Sequence, residues 1–338
     1  MKRKILRFIL CGLVISSTVF GAQLPGVGKF TVGYNEAWFA GNYGTDLTSN
    51  FNPSYVSQVF DGMAKGGATI VRVFLFEALQ GVTLGKSVPQ TLGVEAGFMQ
   101  NLNTLLGLAR QRGLKVYVTL LEGNEIQKSS GPRKDYYWNL LNNKYGEGDV
   151  FRSRVIRPVL QLLNSNRDVI YALDLMNEIE APISANFLKW SDAQSWIKDS
   201  TAFVKSYSSW LPVTSTAGWG YAVSEVGDGF FSGLGLDFYD VHVYTDSGTY
   251  SGVTNLCAKV SVDKIPIILG EYGQKSQVVD DSMQYSATAN FLNTAKSQCF
   301  SAALAWRYDA AEQFWAYAKP DGRFRPAYYV IKAFGTPH

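Results

Sequence analysis

Histidine is nearly absent: the chain of 338 residues holds only His242 and the terminal His338. That scarcity argues against a histidine-built metal centre, and any serine or cysteine triad would have to use His242. Cysteine is as rare, with Cys11, Cys257 and Cys299, too few for a disulfide scaffold. Long apolar runs are missing after the first one. That run, from Ile5 to about Phe20, follows "MKRK" and ends at Gly21 and Ala22, the pattern of a signal peptide cleaved after residue 22. A retained anchor is the lesser reading because the run is short for a membrane span. Cys11 also lacks the small residues that usually precede a lipid-modified cysteine.

Basic runs are lacking too. Lys2, Arg3, Lys4 and Arg7 all belong to the leader and outnumber the formal net charge of +3, so the rest of the chain is slightly acidic. Nucleic acid and anionic membrane surfaces are therefore not expected partners. Once the leader is gone Cys257 and Cys299 remain, and an oxidising compartment permits one bridge between them. Both are expected late in the helices after the sixth and seventh strands, where they either pair or stay as two buried thiols.

What is present is a regular alternation. Apolar runs rich in β-branched residues occupy 29–34, 69–76, 115–121, 169–176, 212–218, 238–244, 265–270 and 302–306. Segments of helical period fall near 53–65, 95–112, 149–164, 192–209, 252–260, 284–298 and 327–334. A Gly-rich stretch with at most a short helix follows the fifth strand. In the second helix Phe98, Leu102, Leu105, Leu106 and Ala109 form one buried stripe. Eight βα units with continuous apolar strands predict a single (β/α)8 TIM barrel over residues 23–338. A doubly wound open sheet is the alternative, but "GYNEAW" supplies no Gly-rich nucleotide turn.

In such a barrel the loops after the strands carry the active site. Asn35-Glu36, Asn124-Glu125 and Asn177-Glu178 all fall there, but Glu178 follows its strand without a spacer, which favours rigid placement. Glu271, in "IPIILGEYG", also follows its strand directly. Two such carboxyls facing each other across a cleft suit glycoside hydrolysis, in which one protonates the leaving oxygen and the other attacks the anomeric carbon. Glu125 remains a geometric alternative. A lone strand-end acid is more often a helix cap or an exposed charge, and Glu77, Glu122 and Glu180 have no partner to lift them above that reading.

"MNEIE" on strand four, "HVY" on strand six, "GEYG" on strand seven and "AWRY" on strand eight, with Arg72 in "VRVFLF" on strand two, resemble clan A of the glycoside hydrolases. The nearest group is the cellulases and mannanases of family 5. The resemblance implies that Glu178 is the acid/base and Glu271 the nucleophile. Asn177 would bond the sugar 2-hydroxyl, His242 would support the acid/base, and Trp306 would floor the sugar. Arg72 and Tyr244 would hold Glu271 ionised, while the charge of Glu271 raises the pKa of Glu178. Many members carry a histidine at the end of strand three, where this chain has "LLEGNE", so Asn124 or Glu122 occupies that place.

Trp38, Trp138, Trp219 and Trp315 follow strand ends, where stacking on sugars is useful, and Glu36 beside Trp38 is a subsite candidate. Trp190, Trp196 and Trp210 flank the fourth helix and read as structural. The expected function is that of an exported, retaining, monomeric β-glycanase acting on a β-1,4-glucan or β-mannan, with no cofactor and no metal. An exo-glycosidase, an exopolysaccharide hydrolase of the same clan and a non-catalytic carbohydrate-binding barrel are the alternatives. A Schiff-base aldolase is disfavoured because no strand end carries a lysine.

Overall fold

Eight strands follow one another as β1 (Thr31–Asn35), β2 (Ile70–Phe74), β3 (Lys115–Glu122), β4 (Ile170–Asn177), β5 (Val213–Thr214), β6 (Tyr239–Tyr244), β7 (Ile267–Gly273) and β8 (Phe300–Ala305). The helices between and after them are α1 (Pro53–Lys65), α2 (Ala96–Arg110), α3 (Arg157–Asn164), α4 (Trp190–Tyr207), α5 (Ala222–Gly227), α6 (Val253–Asp263), α7 (Asp281–Ser297) and α8 (Pro326–Gly335). The computed structural model describes residues 23–25, 28–86, 90–218, 220–309 and 314–335. The expected signal peptide, residues 1–22, and Trp219 lie outside the described residues.

Neighbouring strands pair in parallel in the order β5-β4-β3-β2-β1-β8-β7-β6. A parallel bridge between Ala217 and Val241 joins the two ends, so the sheet closes as the (β/α)8 TIM barrel that the alternation predicts. Helix ends follow local chemistry. The Asn52 side chain accepts from the Tyr55 N–H ahead of Pro53, which needs no N–H partner in the first turn of α1. Asp280 caps α7 by accepting from Ser282 and Met283. The stripe expected on α2 is buried as predicted. Elements not expected from the sequence lie in the loops: an antiparallel hairpin (Val82–Leu84 with Thr91–Val94), a helix at Gly131–Leu141, and a π-helical stretch, Arg152–Ile156, leading into α3. Among the described residues no helix is long and apolar enough to cross a membrane.

Strand alternation divides the core in two. Outward residues such as Val71, Val73, Val241 and Leu269 pack under the helices, while Ile70, Tyr117, Ile268, Ala302 and Leu304 fill the barrel interior. One step further along each strand the inward positions turn ionisable: Arg72, Asp174, Asp240, His242 and Glu271, all buried. An apolar plug thus fills the lower barrel, and a polar layer lies over it at the mouth.

Cys257 and Cys299 form a disulfide, with Cα atoms 5.6 Å apart across a sequence separation of 42. Neither lies late in its helix as expected: Cys299 falls just past the end of α7, immediately before β8 at the lower face, and Cys257 sits in the first half of α6. Closing a loop of this length in the unfolded chain stabilises by up to about 4 kcal/mol. A Cys257→Ser/Cys299→Ser variant is therefore expected to unfold at lower urea concentration with unchanged hydrolysis, because the bridge is remote from the mouth. An unchanged urea midpoint would show that the bridge contributes nothing.

Candidate active site

Arg72 is the centre of the polar layer. Its neighbours in register are Asn35 on β1 and Tyr117 on β3. From a fully buried position its Nη1 donates to Glu271 Oε1 at 2.5 Å and to Asn35 Oδ1 at 3.2 Å, while its Nη2 donates to Asp174 Oδ2 and Asn177 Oδ1, each at 2.8 Å. A guanidinium suits this place because its planar fork serves several acceptors at once.

Glu271 Oε2 accepts from the Tyr244 hydroxyl at 2.6 Å. His242, paired in register with Glu271 across β6 and β7, places Nδ1 3.1 Å from Glu178 Oε1 and 3.5 Å from Glu271 Oε2. One oxygen of each glutamate and one nitrogen of His242 lie within 4.8 Å of one another. This is close to the carboxyl separation of about 5 to 5.5 Å that double displacement uses.

Glu178 leaves β4 with φ 49°, an uncommon backbone for a side-chain-bearing residue. That turn swings its carboxyl over the mouth, and its N–H donates to Thr216 Oγ1 at 2.9 Å. Gly218 makes room for it, since a Cβ there would come within 2.3 Å of the Glu178 carboxyl. On the other side Asn124 Nδ2 donates to Glu178 Oε2 at 2.8 Å.

The layer is rich in acid. Glu122, Asp174, Glu178, Asp240 and Glu271 are buried around the cations Arg72 and His242. Burial pushes Glu122 up to about 8, reinforced by the charge of Glu178. Asp240 is likewise raised by burial, to about 6, although His242 and Arg72 oppose the shift. Burial alone would lower His242, but the charge of Glu271 and the hydrogen bond to Glu178 carry it to about 8. The expected order of the two glutamates is reversed in the free site. Glu178 resists the rise from burial through its hydrogen bond to His242, the charges of His242 and Arg72, and the Asn124 amide, and falls below the usual carboxylate range. Glu271 is raised by burial and by the charge of Glu178, despite His242, Arg72 and Tyr244.

Above the layer lies a cleft of about 440 Å³ lined by Trp38, Tyr43, Trp306 and Trp315 with Glu122, Asn124, Asn177, Glu178, Tyr244 and Glu271. The ring of Trp306 meets that of Trp38 edge-on at 5.9 Å, and Trp38 meets Tyr43 at 4.8 Å. An aromatic wall facing acids suits the apolar face and hydroxyl rim of a sugar. Glu178, His242 and Glu271 also have spacing for a metal ion. In this structure, however, His242 Nδ1 faces carboxyl oxygens of both glutamates, at 3.1 Å and 3.5 Å, the contact that a ring N–H makes with acceptors.

The structure thus brings together Arg72, Asn177, Glu178, His242, Tyr244, Glu271, Trp306, Asn124 and Trp38. Glu36 requires correction: it is fully buried and turned away from the cleft, and its Oε2 accepts from the Asp309 N–H at 3.2 Å. Trp138 also stays outside the cleft, on the helix Gly131–Leu141, with the Lys144 ammonium 4.8 Å from its ring centre. Glu125 pairs with Tyr43 instead of joining Glu271. Glu122, named with Asn124 for the strand-three place, lines the cleft, as do Tyr43 and Gln274, which had not stood out in the sequence.

The chain matches the family profile "Cellulase (glycosyl hydrolase family 5)" over residues 33–311. It belongs to glycoside hydrolase family 5. As a member of this family it is a retaining glycoside hydrolase, and its substrates are oligosaccharides or polysaccharides. No curated protein matches the chain in sequence. Among solved structures, the family 5 chain shares its fold with an endo-1,4-β-mannanase from Rhizomucor miehei, at 17% identity and TM-score 0.68, covering 93% of this chain and 98% of that one. It is also similar to a β-mannanase from the blue mussel Mytilus edulis, at 16% identity and TM-score 0.65 with coverage of 90% and 92%. A third is a GH5 subfamily 18 protein from Streptomyces cattleya in complex with Manβ1-4GlcNAc, at 16% identity and TM-score 0.70 with coverage of 90% and 80%.

Proposed function

We propose that the protein is an exported endo-β-1,4-mannanase in which Glu271 is the nucleophile and Glu178 the acid/base. The observation that carries the catalytic assignment is the Glu178–His242–Glu271 cluster, within 4.8 Å, at the floor of an aromatic-walled cleft. Glu271 attacks the anomeric carbon while Glu178 gives its proton to the departing glycosidic oxygen, leaving a covalent glycosyl-enzyme. Glu178 then takes a proton from water, the water oxygen bonds to the same carbon, and Glu271 leaves as a carboxylate. Two inversions return the original configuration.

In the free site Glu178 is held ionised, so it must gain a proton before the first step. A sugar seated over Trp306 supplies the driving force by excluding water from Glu178, which raises its pKa. His242, protonated below about 8 and 3.1 Å from Glu178 Oε1, is placed to deliver that proton. Asn177 reaches the sugar 2-hydroxyl.

The choice of mannan over glucan is supported by the Rhizomucor and mussel mannanases that share the fold. The same reading makes residues 1–22 a leader removed on export and the mature enzyme a monomer. The test is incubation of the purified protein with β-mannan, glucomannan and β-1,4-glucan, with product sizes and anomeric configuration followed by NMR. Mannan should fall to oligosaccharides of mixed length that appear first as the β-anomer. Cleavage of glucan alone would overturn the mannan assignment, and release of single terminal sugars would overturn endo action.

A further inference from the structure

β3 ends on Glu122, directly across from Asn177 of β4 in the ladder. Its Oε1 accepts from both the backbone N–H and the side-chain Nδ2 of Asn124, each at 2.8 Å, and its Oε2 accepts from Asn177 Nδ2 at 2.8 Å. Asn124 Nδ2 also donates to Glu178 Oε2, and Asn177 Oδ1 accepts from Arg72, which donates to Glu271. An unbroken line of hydrogen bonds therefore joins Glu271 to Glu178 by way of Arg72, Asn177, Glu122 and Asn124.

The two amides on this line meet Glu122 differently. Asn177 is oriented from its other end, because its carbonyl must face the Arg72 donors. The Asn124 amide bridges two carboxyls, its Nδ2 donating to Glu122 Oε1 and to Glu178 Oε2. Burial favours the protonated form of Glu122, yet every group facing Glu122 here is a donor, the Asn124 N–H and Nδ2 to Oε1 and Asn177 Nδ2 to Oε2, so both oxygens act as acceptors and select the rotamer in which the Asn124 NH2 points inward toward Glu178. We propose that Glu122 is a positioning residue for the first step, acting through Asn124 to set the orientation of Glu178. This rests on the reading of Glu178 as the acid/base.

Glutamine has the same shape but replaces one acceptor oxygen with a donor. In Glu122→Gln one of the two asparagines must then meet an NH2 with an NH2. If Glu122 acts through Asn124 on the acid, the loss should depend on how much the leaving group needs a proton. Glu122→Gln and Asn124→Ala should each lower kcat/KM on β-mannan by about 10- to 100-fold, part of the roughly 10²–10⁴-fold that a positioned general acid contributes. On 2,4-dinitrophenyl β-mannobioside, whose leaving group departs without a proton, each should lose less than about threefold. The double variant should be no worse than either single one, because both remove the same interaction.

Equal losses on both substrates, or additive losses in the double variant, would overturn the proposal and leave Glu122 a structural residue. Asn124 is only partly buried, so Asn124→Ala keeps the test open should Glu122→Gln fold poorly; a uniform loss in Asn124→Ala alone would also refute the route. If the parent enzyme cleaves neither substrate, the failure belongs to the functional reading, not to Glu122.

Discussion

Glu271→Ala is expected to lose turnover by about 10⁴-fold or more, the scale on which removing a covalent nucleophile acts in other hydrolases. The carboxylate that must bond to the anomeric carbon is gone, and nothing else in the polar layer can replace it. Asp174 lies deeper in the barrel, bonded to Arg72 and Thr119. Glu178→Ala should lose about 10²–10⁴-fold on glycans but little of the first step on aryl glycosides with activated leaving groups. Azide separates the two roles. In Glu271→Ala it fits the vacated space, attacks once and gives a glycosyl azide of inverted configuration. In Glu178→Ala it attacks the glycosyl-enzyme after Glu271 has already reacted, and the product keeps its configuration. Near-parent turnover in either folded variant would remove that residue from the mechanism, and an exchange of the two stereochemical outcomes would exchange the roles.

The barrel was legible because its signal is redundant. Eight apolar runs separated by helical periods admit few closures, and the runs locate the strands to within a few residues. Glu178 and Glu271 stood out because each follows its strand without a spacer. Glu36 also follows a strand directly, and parity explains why it fails. On β1, Val32 and Tyr34 pack outward under the helices, so Asn35 faces the interior and Glu36 faces out again. Asn35 indeed meets Arg72 Nη1 and the Gly270 carbonyl, while Glu36 lies beyond reach of the cleft. Alternation applied one residue further would have preferred Asn35.

Glu122 shared the strand-three place with Asn124 in the sequence and was not chosen over it, for the opposite reason. Read alone, an acid at a strand end is a helix cap, and Glu122 does cap the short helix Gly123–Lys128 through the Asn124 N–H. Capping and lining the cleft are one geometry here, because the helix begins at the mouth. Trp138 was misplaced because a helix of its own carries it along the long loop after β3. The order of ionisation was hidden for a further reason. It depends on His242 standing between both glutamates and on Asn124 reaching Glu178, which are distances between loops that no spacing encodes.

Arg72→Met should destabilise the fold by about 3–5 kcal/mol at neutral pH, the cost of stripping a buried ion pair of one partner. Arg72 is fully buried and bonds to two carboxylates, Asp174 and Glu271. Methionine fills part of the volume but leaves both acids without their main counter-charge. Burial already raises the pKa of each in the parent, with Arg72 opposing the rise, so the variant should raise both further. A carboxyl whose folded pKa exceeds its unfolded value contributes full stability below the unfolded pKa and loses it as pH climbs toward the folded one. The deficit of Arg72→Met should therefore be smallest near pH 4, the ordinary carboxylate range, and should widen toward neutrality. Groups away from Arg72 titrate alike in both proteins and cancel in the difference. Urea unfolding of parent and variant at about pH 4 and pH 7.5 measures the gap directly. A gap that stays constant between the two would mean that Asp174 and Glu271 do not depend on Arg72 for their charge, and the hold of Arg72 on Glu271 would then be one of position alone.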